Sequence, residues 1–310
     1  MNGDTPKEAP GELEDLRIQD PEALRVLLEE EREVLWRTLH WETVPMEGTE
    51  MGLAWTCRGR LLGYVTLRAS EATILLSRLF ASRLGPAEAV EWALLQGAAH
   101  VAFSIPGIIR LSGEVLSARE ATLARLLENR PAEVRSRALM EVDWKGPGPG
   151  KDMGLEPWRG EDLPSASALL LRAYEDKPSF LPDPSHRTPE GVAFLLEQSM
   201  AQPLCGRFEP GASFVARHGD GTLAGFILAT RMGPATGNIS EVAVDPSGRR
   251  HGLGRALAIR SLEALRALGC TSTHLAVDLD NLPALGLYQG LGFRIYHRFP
   301  ELRLTPGDLG

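Results

Sequence analysis

The stretch Val242-Ala243-Val244-Asp245-Pro246-Ser247-Gly248-Arg249-Arg250-His251-Gly252-Leu253-Gly254-Arg255-Ala256-Leu257 decides how this chain is read. Val242 to Val244 is strand-prone, Asp245 to Gly248 is turn chemistry, and an amphipathic pattern runs from Leu253 to Leu268, where Gly269 ends it. Gly252 and Gly254 therefore fall in the first turn of a helix. The first amides of a helix have no intrahelical acceptor and sit at the positive end of its dipole, so glycines there form a cradle that an anion can approach closely. Arg249, Arg250 and Arg255 add positive charge around it.

Spacing separates the phosphate-binding motifs that such a loop could be. A P-loop requires Gly-Lys-Ser/Thr, which does not follow. A dinucleotide fingerprint requires a small residue three positions after Gly254, where this chain has Leu257. What remains is Arg/Gln-x-x-Gly-x-Gly/Ala behind a V-x-V strand, filled by Arg249, Gly252 and Gly254, and it resembles the acetyl-CoA signature of the GNAT superfamily of N-acetyltransferases. A second motif follows in order. His274 to Leu279 alternates like a strand, Asp280-Asn281 breaks it, and a short helix from Pro283 to Gly290 carries Leu287-Tyr288 before Leu291-Gly292-Phe293. The string from Asn281 to Phe293 is similar to the closing motif of that family.

The resemblance implies acetyl-CoA as cosubstrate. Its pantetheine arm would lie in a gap between the splayed strands at 239–244 and 273–279, on the backbone of Val242, Ala243 and Val244, in the manner of β-augmentation. Its diphosphate would rest on amides from Arg250 through His251, Gly252, Leu253 and Gly254 to Arg255, with Arg249 alongside. Asn281 and Ala284 would line the far side, and Tyr288 would face the thioester sulfur as general acid. Many relatives place a glutamate four positions before the V-x-V segment. This chain has Asn238 there, which leaves Glu241 as the nearest carboxylate and candidate base. Strict alternation could instead turn Glu241 away as a solvated strand-end charge, with Asn238 or Ser240 positioning a water.

Direct acyl transfer needs a neutral amine, a polarised thioester carbonyl and a proton for the departing thiolate. A lysine-like amine of pKa ~10.4 is neutral only to a few parts in ten thousand at pH 7, against roughly a tenth for an α-amine, so a weak base suits the latter. The expected function is an N-acetyltransferase acting on a primary amine, a small-molecule acceptor before a protein tail. The alternatives are a non-catalytic acyl-CoA-binding regulator and an acyltransferase for a longer acyl-CoA.

Composition sets the outer bounds. A chain of 310 residues has room for two domains, and 43% hydrophobic content supplies ordinary cores. Three cysteines without repeating spacing fit reduced thiols in the cytoplasm. The formal charge of −8 disfavours nucleic acid and mildly favours a cationic acceptor. The acidic N-terminus is not signal-like, and the most apolar window, 94–109, is too short to span a bilayer. Seven histidines show no metal-ligand spacing, so no metal is expected. Oligomeric state is not legible.

The Gly/Pro run at 146–152 divides the chain into an expected first domain, 1–145, and a second, 153–310. In the second half, helices are expected at 163–174 and 189–200 and a hairpin at 213–217 with 223–230; the Pro-rich run 177–189 reads as a loop at the substrate mouth. Leu61-Leu62-Gly63-Tyr64-Val65 parallels Leu223-Ala224-Gly225-Phe226-Ile227, and His100-Val101-Ala102-Phe103 is read as a strand parallel to His274-Leu275-Ala276-Val277. On that alignment Gly63 to Val101 spans 38 positions and Gly225 to Leu275 spans 50, so the first copy is shorter by 12 where the cradle should be. The predicted fold is α/β (α+β): two tandem GNAT-like domains, each a mixed, mostly antiparallel sheet flanked by helices, the first degenerate and without a phosphate cradle at 82–86. This layout is similar to that of mycothiol synthase.

Overall fold

The structure, a computed structural model, describes residues 11–39, 51–70, 72–128, 133–143, 153–175, 187–201 and 206–308. The linker expected at 146–152 and most of the Pro-rich run at 177–189 lie outside the described residues. Two compact units are present: Met1–Arg137 with His297–Gly310, and Ala138–Tyr296.

The first unit is built from β1 (Glu12–Asp15), α1 (Pro21–Leu39), β2 (Met51–Cys57), β3 (Arg60–Ser70), β4 (Thr73–Ala81), α2 (Ala87–Ser104), β5 (Arg110–Glu114) and α3 (Glu120–Glu128). β6 (Glu133–Asp143) begins in this unit and ends in the second. The β2–β3 hairpin turns through Arg58 and Gly59, both at positive φ (52° and 73°), the geometry that matches the twist of two paired strands. Strands β1 to β4 pair antiparallel, β4 and β5 pair parallel across α2, and the end of β13 (Arg294–Leu304) lies antiparallel to β5. The core between sheet and α2 contains Val65, Leu79, Leu94, Leu95 and Leu111, joined by Leu302 and Leu304 from β13.

The second unit has β7 (Glu156–Pro157), α4 (Leu163–Ala173), α5 (Pro189–Ala201), β8 (Arg207–Phe208), β9 (Phe214–Arg217), β10 (Leu223–Arg231), β11 (Thr236–Val244), α6 (Leu253–Ala267), β12 (Ser272–Asp278) and α7 (Leu282–Gln289). Its sheet runs β6-β12-β11-β10-β9-β7, with β8 also on β10. Only β11 and β12 pair parallel among the registered pairs of this unit. One face packs on α6 and α7 through Ile227, Ile239, Leu257, Leu262 and Leu275. The other packs on α4 and α5 through Phe226, Leu228, Leu169 and Val192.

The repeat is exact enough to carry a shared irregularity. The order β2-β3-β4-α2-β5-α3-β6 matches β9-β10-β11-α6-β12-α7-β13. On β4, Thr66 faces Arg78 and Leu67 faces Leu76, so Ser77 is an extra residue; on β11, Leu228 faces Glu241 and Ala229 faces Ile239, so Ser240 is extra. Ser240 directly follows the end of the α6-linked parallel segment, and Ser77 lies two residues past the end of the α2-linked one; each bends its strand.

The expected strand at His100–Phe103 is wrong: these residues belong to α2. That helix is apolar nearly all round and rich in alanine, so no 3.6-residue stripe distinguishes it, and its helix propensity wins over the short Val/Phe run. The true counterpart of β12 is β5, where Leu75↔Ser112 corresponds to Asn238↔His274, each first partner lying two residues before its bulge. Gly63 to Ser112 and Gly225 to His274 are then equally long, and the 12-residue deficit disappears. The loop itself is still shorter, 82–86 against 245–252.

Candidate active site

β11 and β12 diverge. Their register runs from Thr236↔Ser272 to Ile239↔Leu275 and stops, although β11 continues to Val244 and β12 to Asp278. Val242 and Val244 are half-buried beside this split, and Ala243 is buried on the opposite, α4-facing side.

At the mouth of the split the chain turns through Asp245, whose carboxylate accepts from the Ser247 amide (3.0 Å) and hydroxyl (2.6 Å); the hydroxyl contact is the main reason its carboxyl is held below the usual range. Arg250 (φ 66°) and Gly252 (φ 88°) adopt left-handed backbone before α6 starts at Leu253. Gly252 is needed for that conformation rather than for space, since a Cβ there meets nothing within 4 Å. Gly254 is different: a Cβ would touch Leu287 at 3.5 Å and Val244 at 3.6 Å. Ala256 is the first α6 amide bonded within the helix, to Gly252 O at 3.0 Å. Among the described residues none accepts from the amides of Gly252, Leu253, Gly254 or Arg255. Exposed Arg250, His251, Gly252 and Arg255 surround these donors.

Two of the expected cradle arginines are struts. The Arg249 amide donates to Pro246 O (3.4 Å), and its guanidinium donates to Ala173 O (2.7 Å) and Val244 O (3.4 Å). With the Arg172–Asp245 ion pair (3.1 Å) it ties the C-terminal end of α4 to the end of β11. Arg255 Nη1 donates to Gly290 O (3.1 Å), capping the C-terminus of α7. Asn281 is the N-cap of α7, its side-chain oxygen accepting from the Ala284 amide at 3.3 Å.

Glu241, Tyr288 and Tyr174 come together. The bulge is the reason: Asn238 faces Thr230 and Glu241 faces Leu228, two residues apart on β10, so Asn238 and Glu241 share a side of the sheet that strict alternation would deny them. Glu241 Oε1 accepts from the Val242 amide (3.2 Å) and the Tyr174 hydroxyl (3.3 Å). Tyr288 is 8% exposed, with its ring edge-on to Phe293 at 5.6 Å. Burial first, then the Glu241 charge, raise its phenol well above the usual value, which keeps it a proton donor. Asn238 donates to Thr230 Oγ1 (3.1 Å) and the Ser240 hydroxyl to Leu228 O (3.2 Å), so the two water-positioning candidates spend these donors on β10. Tyr174 was not foreseen; it stands just past α4, 67 residues from Glu241, and no spacing rule links them. Among the described residues no group of three or more His, Cys, Asp or Glu is placed to hold a metal ion.

Residues 171–293 match the Acetyltransferase (GNAT) family. A mycothiol acetyltransferase of Thermomonospora curvata is 40% identical over 108 residues, covering 35% of this chain and 36% of that protein. Another, from Saccharopolyspora erythraea, is 30% identical over 171 residues, 54% of each. The match thus spans about half or less of these relatives' own length. In fold, a GCN5-related N-acetyltransferase from Sphaerobacter thermophilus superposes with a TM-score of 0.64 at 17% identity, over 92% of this chain and 93% of that one. A tandem GNAT protein from the clavulanic acid biosynthesis pathway gives 0.63 at 19% identity, over 96% and 100%. The chain therefore has the tandem GNAT fold, with the match to the GNAT acetyltransferase family confined to residues 171–293.

Proposed function

We propose that the second half binds acetyl-CoA and transfers its acetyl group to the primary amine of a small molecule by direct attack. The observation that carries this reading is the divergence of β11 from β12 beyond Ile239 and Leu275, with the amides of 252–255 at its mouth and Glu241 and Tyr288 beside it. Diphosphate on those amides follows from the dipole and the unspent donors of a helix start. The pantetheine arm takes the edge of β11 at Val242 to Val244, against Asn281 and Ala284. Glu241 removes the amine proton, directly or through water, and Tyr288 delivers a proton to the leaving thiolate. The amine nitrogen gains the acetyl carbon as the carbon–sulfur bond breaks, so protons and electron pairs balance without a further reactant.

The names of the matched relatives, mycothiol acetyltransferases, favour a small molecule over a protein tail as acceptor. We place the reaction in the cytoplasm, consistent with the free Cys57 and Cys270; no helix among the described residues is long and apolar enough to cross a membrane. The duplicated halves are taken as 1–145 and 153–310, joined by 146–152. A screen of amines with acetyl-CoA, read as thiol release, tests the proposal: acceptor-dependent release is expected, and binding of acetyl-CoA with no release across the panel overturns it. That second result would favour a regulator that binds acyl-CoA without turning it over, a reading to which Asn238 at the usual glutamate position lends support. Faster release from longer acyl-CoAs in the same assay would change the acyl group and keep the mechanism.

A further inference from the structure

The first unit repeats the split and the loop, and ties both down from within. On the shared bulge, Leu79 and Ala81 stand where Val242 and Val244 stand in the second half. The Ser117 hydroxyl donates to Leu79 O, and the Arg119 guanidinium donates to Ala81 O at 3.3 Å. Arg119 is held in turn by Glu91, which is 1% exposed and accepts from the Arg119 amide at 3.2 Å, from its guanidinium and from the Thr122 hydroxyl. β5 also crowds β4: a Cβ on Gly113 would fall 2.3 Å from Leu76 O.

At the loop, α1 supplies an anion. Glu30 Oε1 accepts from the Arg83 amide at 2.8 Å and Oε2 from the Ser82 hydroxyl at 2.6 Å. The Leu84 amide donates to Ser82 Oγ (3.1 Å), the Ser82 amide to Leu62 O (2.8 Å) and the Ala87 amide to Gly85 O (2.9 Å), while Pro86 has no N–H. The pairs Ser82 N–Leu62 O and Asp245 N–Ala224 O are equivalent, so Glu30 holds the counterpart of the turn at 245–246, ahead of the helix start.

We propose that the first half is a coenzyme site closed from within, Ser117 with Arg119 in the seat of the pantetheine arm and the Glu30 carboxylate fixing the turn that leads to α2. The chain consequently takes one equivalent of acyl-CoA. The comparison rests on the acetyl-CoA reading of the second half, and the experiment separates the two. Calorimetric titration of the full chain with acetyl-CoA is expected to give one equivalent, and Gly252→Trp none. Two equivalents in the unaltered chain, or one remaining in Gly252→Trp, overturn the closure. No binding at all to the unaltered chain removes the second-half reading, and amide exchange then decides the closure: Glu30→Ala should speed exchange at the Arg83 amide at least tenfold, and an unchanged rate refutes the closure.

Discussion

Tyr288 and Tyr174 address the same carboxylate from different sides of the proposed chemistry, and phenylalanine at each separates their roles. Tyr288→Phe removes a proton donor that burial and the Glu241 charge hold protonated, so turnover should fall about 10²-fold or more with acetyl-CoA affinity nearly unchanged. Equal turnover would demote the ring to packing against Phe293. Tyr174→Phe removes a donor to Glu241 at 3.3 Å, so a smaller loss is expected, about tenfold for a hydrogen bond to a charged group, confined to kcat. A rise in KM for acetyl-CoA without loss of kcat would show that Tyr174 supports the coenzyme instead. Gly252→Ala tests backbone rather than contact: at φ 88° the added Cβ meets no neighbour, so the cost is the left-handed conformation, about 1–2 kcal/mol. Denaturant midpoints measure it, and Gly252→Asn should recover part of the loss.

Among elements, legibility followed the range of the interactions. The helices at 163–173, 253–267 and 282–289 and the β9–β10 hairpin were readable because caps, periodicity and turn residues are local signals. The bulge at Ser240 was not, since nothing in Ile239-Ser240-Glu241 announces an extra residue; it exists only in the register with β10. That single slip determines whether Glu241 shares a face with Asn238. The struts of Arg249 and Arg255 were also hidden, because an arginine in a glycine-rich loop reads the same whether it meets a phosphate or a carbonyl. α2 failed for a different reason, its burial on nearly every side erasing the stripe that marks a helix. β13 yields a pH prediction of its own. His297 donates to Leu116 O at 2.6 Å and stacks on Phe299, and burial depresses its pKa below the usual 6.5. The unfolded chain then binds the proton more readily, so stability is complete above 6.5 and declines as pH falls below it. Thermal melts from pH 7.5 to 5.5 should show this slope, and His297→Gln should flatten it.

At the scale of the whole chain, duplication did not leave two self-sufficient halves. Residues 301–304 of β13 pair with β5 in the first unit, where Leu302 and Leu304 are fully buried, and Ala138, Met140 and Val142 of β6 pack in the core of the second, Ala138 and Met140 fully buried. Cutting at the Gly/Pro run therefore gives each fragment a strand whose apolar face belongs to the other unit's core. Each fragment also leaves the unpaired edge from which that strand was taken, and exposed edges beside exposed apolar surface drive aggregation. Fragments 1–145 and 153–310 expressed separately should be largely insoluble, and co-expressed they should recover soluble, acetyl-CoA-binding material. A soluble, cooperatively melting fragment 153–310 would show that the second half completes its own sheet. The same interleaving gives a reason for a first half closed to coenzyme to persist: its removal would take β6 with it, and with β6 the strand that flanks β12 beside the proposed active site.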